Sequence, residues 1–555
     1  MSFGDVTKHH DKKKKKNTMM IINPSILRVT STVLRLRQRL ASPISYSYSA
    51  ASTTRRWMSS SNSSSSSTII RVAIVGSGPS GCYTAKYLQS STPDTTTLSI
   101  DVLERLPTPF GLVRSGVAPD HPEVKNAQND FSQLFDNNDN KNNGRHISFY
   151  GNVTVGKDVA LHELRQLYDI VVLAYGCESD RKLGITGEDT VSGVLSAREF
   201  VAWYNGHPEF NHIGAIVSKA LGDKPEEADV VVIGHGNVAL DCARVLAKGS
   251  PGLVDTDISA NALPVLGGGV KSTTVVGRRG HVQGAFTIKE LRELTKLDEE
   301  GYQTSFLVSQ DELNLGTTES SLKELEAPNG RPRKRIDKLL RRDAATTPNA
   351  NNPKQVALRF LMNPVSFVAN EQDPSTLGAV ICERTKLEGE AGQQVCVGTG
   401  ELESIPAQLA LVSVGYKGVA VPGLEDELFD SKRGIVVNTH GKVMDASNGL
   451  GGLYVSGWLK RGPSGIIGTN IADAKDTVAS IVKDLENHVP SKEGSSTTLL
   501  SDLLKERQVR VVDWKAYQRI DAVETNPERK RSASQPREKI PTHEELLEAA
   551  FGSSS

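Results

Sequence analysis

The sequence predicts an α/β fold with parallel sheets, and three observations carry that reading. Short β-branched runs alternate with helical periodicity: residues 230–233 precede 238–247, and residues 273–276 precede 288–294. A strand running into a glycine turn and then a helix occurs twice, at residues 71–81 and 230–239. A further buried-strand pattern returns near the C-terminus at residues 452–458, so the second unit reads as an insertion into the first. There is no internal repeat of solenoid type.

The first unit places Gly76, Gly78 and Gly81 in a GxGxxG turn. Gly76 permits the tight turn, Gly78 lets the backbone approach a pyrophosphate, and Gly81 allows close helix–strand packing. The helix that follows offers amide donors and a positive dipole end to phosphates. The next strand-like segment, residues 98–103, ends in Glu104, a carboxylate placed to accept from an adenosine ribose hydroxyl. Together these features predict an FAD site.

The second unit repeats the design with His235, Gly236, Asn237 and Val238. Its following strand ends in Arg278 and Arg279, where an NAD site would carry a carboxylate. Guanidiniums match the 2′-phosphate of NADP in charge-assisted geometry. The predicted fold is therefore two Rossmann-like dinucleotide-binding domains, an NADP domain inserted into an FAD domain. Near the C-terminus, Trp458 and the stretch Gly465, Ile466 and Ile467 precede a helix expected from about Asn470. Glycines before a helix suggest backbone amides aimed at the isoalloxazine ring, with Trp458 either stacked on that ring or serving as an ordinary packing aromatic.

Composition limits the function. The chain has 555 residues and zero net charge, with 12 Lys+Arg against 2 Asp+Glu in residues 1–67. The remainder is net acidic, which argues against a nucleic-acid binder. Five cysteines are scattered without a CxxC pair, so neither a zinc site nor a redox dithiol is expected, and small buried apolar roles suit them. No metal site is predicted. Residues 17–68 are acid-free, with six arginines and many serines, the composition of a mitochondrial presequence. A disordered basic tail or a plastid transit peptide shares that composition. Polar stretches at 136–144, 343–353, 388–400 and 491–498 read as surface loops.

Longer strings carry a resemblance. They are Pro109-Phe-Gly-Leu-Val-Arg-Ser-Gly-Val-Ala-Pro-Asp-His-Pro-Glu-Val-Lys-Asn126, Gly236-Asn-Val-Ala-Leu-Asp241, Gly277-Arg-Arg-Gly280 and Ala285-Phe-Thr-Ile-Lys-Glu-Leu-Arg-Glu293. Val414-Gly-Tyr-Lys417, Ser456-Gly-Trp458 and Arg461-Gly-Pro463 complete the set. Over residues 69–541 the chain resembles the mitochondrial adrenodoxin reductases, the adrenodoxin-type ferredoxin–NADP reductases. The resemblance implies FAD contacts at Ser80, Glu104, Leu112, Val155, Trp458 and Gly465 to Ile467. It implies NADPH contacts at His235 to Val238, Arg278, Arg279, Glu290 and Gly465. His235 stands where the family has glutamine, which opens a pH dependence of NADPH affinity.

The expected domains are a presequence and Ser-rich linker (1–67), an FAD-binding domain (68–178 and 418–555) and an NADP-binding domain (179–417). The implied activity is electron transfer from NADPH through FAD to a two-iron two-sulfur ferredoxin in mitochondria, in the matrix or peripherally at the inner membrane. No protein nucleophile or base is required, and no catalytic residue is assigned. His121 and Asp241 lie in strings that could approach the flavin, as a proton relay or as structural hydrogen-bonding groups. The basic run from Arg331 to Arg335, with Lys338, Arg341 and Arg342 beyond it, is the expected ferredoxin-docking surface. Arg331 and Arg335 are its principal contacts, against the alternative of a solvated helix start. An NADPH-dependent flavin monooxygenase or a non-catalytic NADPH-binding protein would carry the same glycine motifs.

Overall fold

The computed structural model describes residues 69–93, 96–136, 146–444, 450–487 and 499–552. The presequence region, most of the 136–144 stretch and the 491–498 stretch lie outside these residues.

Two wholly parallel sheets organise the chain. The strands are β1 (Ile69–Val75), β2 (Thr97–Leu103), β3 (His146–Tyr150), β4 (Ile170–Leu173), β5 (Val194–Ser196) and β6 (Asp229–Ile233). They continue as β7 (Ser272–Gly277), β8 (Thr304–Val308), β9 (Lys354–Phe360), β10 (Leu409–Val412) and β11 (Gly452–Val455). The first sheet has the order β11-β4-β1-β2-β3 and the second β5-β10-β6-β7-β9-β8. The chain leaves the first sheet after β4, builds the second entirely, and returns as β11 beside β4. The two passages between sheets pair with each other: Tyr416 and Lys417 lie antiparallel to Asp180 and Ser179.

Both sheets are buried on both faces, which is why their central strands read as continuous apolar runs rather than alternating ones. In β1, Val72 and Ile74 pack with Leu88 on one side, while Ala73 and Val75 pack with Val171 and Val455 on the other. In β6, Val230 and Val232 face one core, and Val231 and Ile233 face another. That second core is closed by three antiparallel strands, Met362–Ala369, Leu377–Glu388 and Val395–Pro406, which contribute Phe367, Val380, Cys382 and Ile405.

The structure differs from the sequence reading in three places. Residues 395–400, read as loop, form the start of the outer antiparallel strand; only 389–394 turn. That strand is exposed along most of its length, so it lacks the apolar alternation that marks a half-buried strand. Cys396 sits there and is only partly buried, unlike Cys82, Cys177, Cys242 and Cys382, which are buried as expected. The first-site helix begins at Pro79, ahead of the Cys82–Gln89 span that the sequence pattern predicts, because proline suits the first helical position. The helix expected from about Asn470 spans Thr469–Asn487, as the glycines ahead of it suggest.

Candidate functional site

At the C-terminal end of β1 the backbone turns sharply. Gly76 has φ +107°, and a Cβ there would press on the Tyr175 backbone; a Cβ on Gly81 would strike the Gly76 carbonyl. Gly78 caps helix Pro79–Ser91, and a Cβ on it would meet nothing, because it faces a cavity of about 430 Å³. Of the residues predicted to hold FAD, Gly78, Ser80, Glu104, Leu112, Val155, Trp458, Ile466 and Ile467 all line this one cavity. Gly81 and Gly465 do not; Gly81 sets the helix–strand packing, and Gly465 turns the chain with φ +82° before helix Thr469–Asn487.

The cavity fits a dinucleotide. Glu104 Oε2 accepts from the Ser77 amide (3.1 Å) and hydroxyl (2.7 Å), and Oε1 from the Leu106 amide (3.2 Å). These bonds fix the carboxylate while leaving acceptor capacity for a ribose hydroxyl. Ser80 donates to Ser456 Oγ at 2.9 Å, which ties the first helix to the end of β11. Trp458 stacks on Tyr416, ring centres 5.4 Å apart, and its enclosed Nε1–H has no partner among the described residues. An enclosed donor beside a cavity fits a bound acceptor. Cys177 also lines the cavity, and burial pushes its thiol up to about 12, so it is no thiolate nucleophile.

The second site is open. Gly236 caps helix Asn237–Leu253 and a Cβ on it would also meet nothing. Asn237 Oδ1 accepts from the Thr287 amide at 2.8 Å, joining the glycine turn to the start of helix Ile288–Thr295. Glu290, in that helix's first turn, accepts from the Thr287 hydroxyl. Arg278 and Arg279 are exposed, and neither guanidinium forms an ion pair among the described residues. Their backbone carbonyls are held, Arg278 O by the Thr385 hydroxyl (2.8 Å) and Arg279 O by the Leu361 amide (3.2 Å). Val238 is half-buried beside the core. Two free cations on a pinned backbone suit a dianionic phosphate.

His235 follows Gly234 in the second glycine turn. Its ring packs edge-on to Phe360 (centres 4.7 Å apart) and Phe286 (6.1 Å), over the bare face of Gly277, where a Cβ would collide with it. Nε2 is enclosed without a partner. Burial is the first cause that pushes the imidazole down to about 4, with Arg279 adding to it. The ring is thus neutral throughout the physiological range, half-buried against Phe360 and Phe286 at the edge of the glycine turn. Between about 6.5 and 4 the unfolded chain binds the proton and the folded chain does not, so folding stability falls as pH drops through that window. His235→Gln should flatten acid unfolding between pH 6.5 and 4 and leave the pH profile of NADPH binding between 6 and 8 unchanged. Calorimetric melting and a binding titration across pH check both; an NADPH affinity whose pH dependence vanishes in the variant would contradict the half-buried, neutral ring.

His121 and Asp241 do not line the cavity. His121 Nε2 lies 2.7 Å from Glu293, and Asp241 pairs with the buried Arg244 at 2.8 Å. Arg244 also holds Asp120 through two bonds of 2.8 and 2.9 Å. This network joins the segment after β2 to the inserted sheet's helices. The cavity wall includes residues that sequence reasoning missed: Arg198, His207 and Phe210 from the insertion, and Asn470. Tyr416 lay within a recognised string, but nothing in the local sequence singles out the others.

Two parallel-sheet dinucleotide motifs, one nested in the other, define a pyridine-nucleotide oxidoreductase of the two-domain kind. Residues 70–294 match the family model described as pyridine nucleotide-disulphide oxidoreductase. The chain is 42% identical over 491 residues to NADPH:adrenodoxin oxidoreductase, mitochondrial, of Arabidopsis thaliana, covering 87% of this chain and 95% of that protein. It is 40% identical over 487 residues to the Homo sapiens protein of the same name, covering 86% and 91%. The solved structure of Mycobacterium tuberculosis FprA in complex with NADPH superposes with a TM-score of 0.75 at 38% identity, covering 87% of this chain and all of that one. The chain belongs to the NADPH:adrenodoxin oxidoreductase family.

Proposed function

We propose that this chain is a mitochondrial FAD-dependent oxidoreductase that passes electrons from NADPH to a two-iron two-sulfur ferredoxin. One observation carries the reading: a single cavity at the C-terminal edge of the first sheet gathers the glycine turn, Glu104 and Trp458, and the inserted unit supplies part of its wall. Sheet membership and the paired passages at Ser179–Asp180 and Tyr416–Lys417 support a first FAD-binding part at 68–178, an NADP-binding domain at 179–417 and a second FAD-binding part from 418.

Bound FAD would supply the conversion of one hydride's two electrons into single-electron steps. The chain's own residues do the positioning. Gly78 and the amides opening helix Pro79–Ser91 receive the FAD pyrophosphate, Glu104 the ribose, and the Trp458–Tyr416 stack borders the flavin half, with Leu112, Val155, Ile466 and Ile467 excluding water. Gly236, Asn237 and Val238 open the NADPH helix, Arg278 and Arg279 take the 2′-phosphate, and Glu290 and Gly465 complete the site. Placement of this kind, rather than a protein nucleophile, is what hydride transfer requires.

The ferredoxin surface is helix Arg331–Ala344. Ile336, Leu339 and Leu340 bury one side. Arg331, Arg335, Lys338 and Arg342 recur at helical spacing on the other and are exposed. Arg341 is tied to Asp337 and Arg342 to Asp343, whereas Arg331, Lys334, Arg335 and Lys338 form no ion pair among the described residues. Such uncompensated charge suits an acidic iron–sulfur protein. Among the described residues no helix is long and apolar enough to cross a membrane. The acid-free N-terminal segment is the proposed import signal. The experiment is reduction of a purified two-iron ferredoxin with NADPH and NADH compared.

A further inference from the structure

We propose that His207 is an FAD-binding residue, donating its Nε2–H to the adenosine half of the cofactor from a loop that Arg105 fastens over Glu104. The inference rests on the flavin reading above and assigns a role to the inserted unit within the FAD site.

His207 lines the cavity together with Glu104, Arg105 and Phe210. It caps the short turn Pro208–Phe210, and its Nδ1 accepts from the Glu209 amide at 3.2 Å. An Nδ1 that accepts leaves the hydrogen of a neutral ring on Nε2. Among the described residues Nε2 has no hydrogen-bond partner. Burial is the first cause that pushes this imidazole down to about 4, so the donor stays a neutral N–H across the physiological range. The half-buried ring is packed on one side: Phe210 meets it edge-on with centres 5.0 Å apart, and the Arg198 guanidinium sits 5.0 Å over the Phe210 ring.

The loop's position points to the adenosine half. Arg105 immediately follows Glu104, the ribose carboxylate, and reaches Glu178 at 3.3 Å and Glu209 beside His207. One arginine therefore links the end of β2, the passage leaving the first sheet, and the loop of the insertion. Adenine nitrogens and ribose oxygens are acceptors, and a fixed neutral donor complements them without adding charge.

The test measures FAD release from the holoprotein by recovery of flavin fluorescence on dilution, for the wild type and for His207→Leu, His207→Gln and Glu209→Gln. Leucine keeps bulk and removes the donor, and should weaken FAD binding roughly 3- to 10-fold, the size of one neutral hydrogen bond. Glutamine restores a donor and should hold FAD within about twofold of wild type. Glu209→Gln, which loosens the Arg105 fastening, should speed release. NADPH binding should be unmoved in all three. FAD retention by His207→Leu equal to wild type would overturn the proposal, as would equal losses in the leucine and glutamine variants, which mark a purely structural side chain. Wild-type protein that holds no FAD would instead overturn the flavin reading, and this inference with it.

Discussion

Replacing Arg278 and Arg279 together by alanine will weaken NADPH binding strongly and leave NADH binding almost unchanged. Both side chains stand exposed at the end of β7, without ion pairs among the described residues, on a backbone fixed through Thr385 and Leu361. Water alone solvates the two guanidiniums, so neither coenzyme must break a salt bridge to bind. Losing one charge-assisted contact typically costs about 1.5–3 kcal/mol, or roughly 10- to 150-fold in affinity. NADH lacks the 2′-phosphate and has nothing to lose there. Titrating both coenzymes against wild type and double variant decides it. An equal loss for both would show that the arginines support the fold of the site rather than reading the phosphate.

Charge reversal at Arg331 and Arg335 will cripple ferredoxin reduction while NADPH-dependent ferricyanide reduction stays near normal. The two residues are one helical turn apart on the exposed side of helix Arg331–Ala344, and the buried Ile336, Leu339 and Leu340 anchor the helix independently of them. Steering by such a patch raises association rates by about 10- to 1000-fold and fades as salt shortens the ~8 Å screening length. The wild-type rate should therefore fall with ionic strength, and the variant should respond less. Equal loss of both activities would place the damage in the inserted unit itself; no loss of either would make the helix face a solvated surface with no docking role.

How far these features could be read from sequence depended on whether their cause was local. The glycine turns were legible because the positive φ of Gly76 and the packing of Gly81 on the Gly76 carbonyl are set within the turn itself, and strand ends such as Glu104 and Arg279 follow from the turns. The insertion was legible because the second motif intervenes before the return strand. What stayed hidden was created by tertiary approach. Arg198, His207 and Phe210 carry no motif and join the cavity only because the insertion folds back against β2. The strand Val395–Pro406 faces solvent and offered no alternation to detect. His235 sits in a motif position that suggests contact with the coenzyme, and its half-buried ring also lies over the bare face of Gly277. Sequence placed the residue correctly but could not give the direction of its side chain.

The most direct measurement of the central claim is anaerobic reduction of a mitochondrial two-iron ferredoxin by the purified protein, with NADPH and NADH as alternative donors. Electron flow from a phosphate-reading site through FAD to a one-electron acceptor predicts yellow protein. It also predicts ferredoxin reduction by NADPH that NADH does not match and that needs neither oxygen nor an organic substrate. NADPH oxidation only in the presence of oxygen and an organic substrate, or a colourless protein that binds NADPH and leaves ferredoxin oxidised, would contradict it.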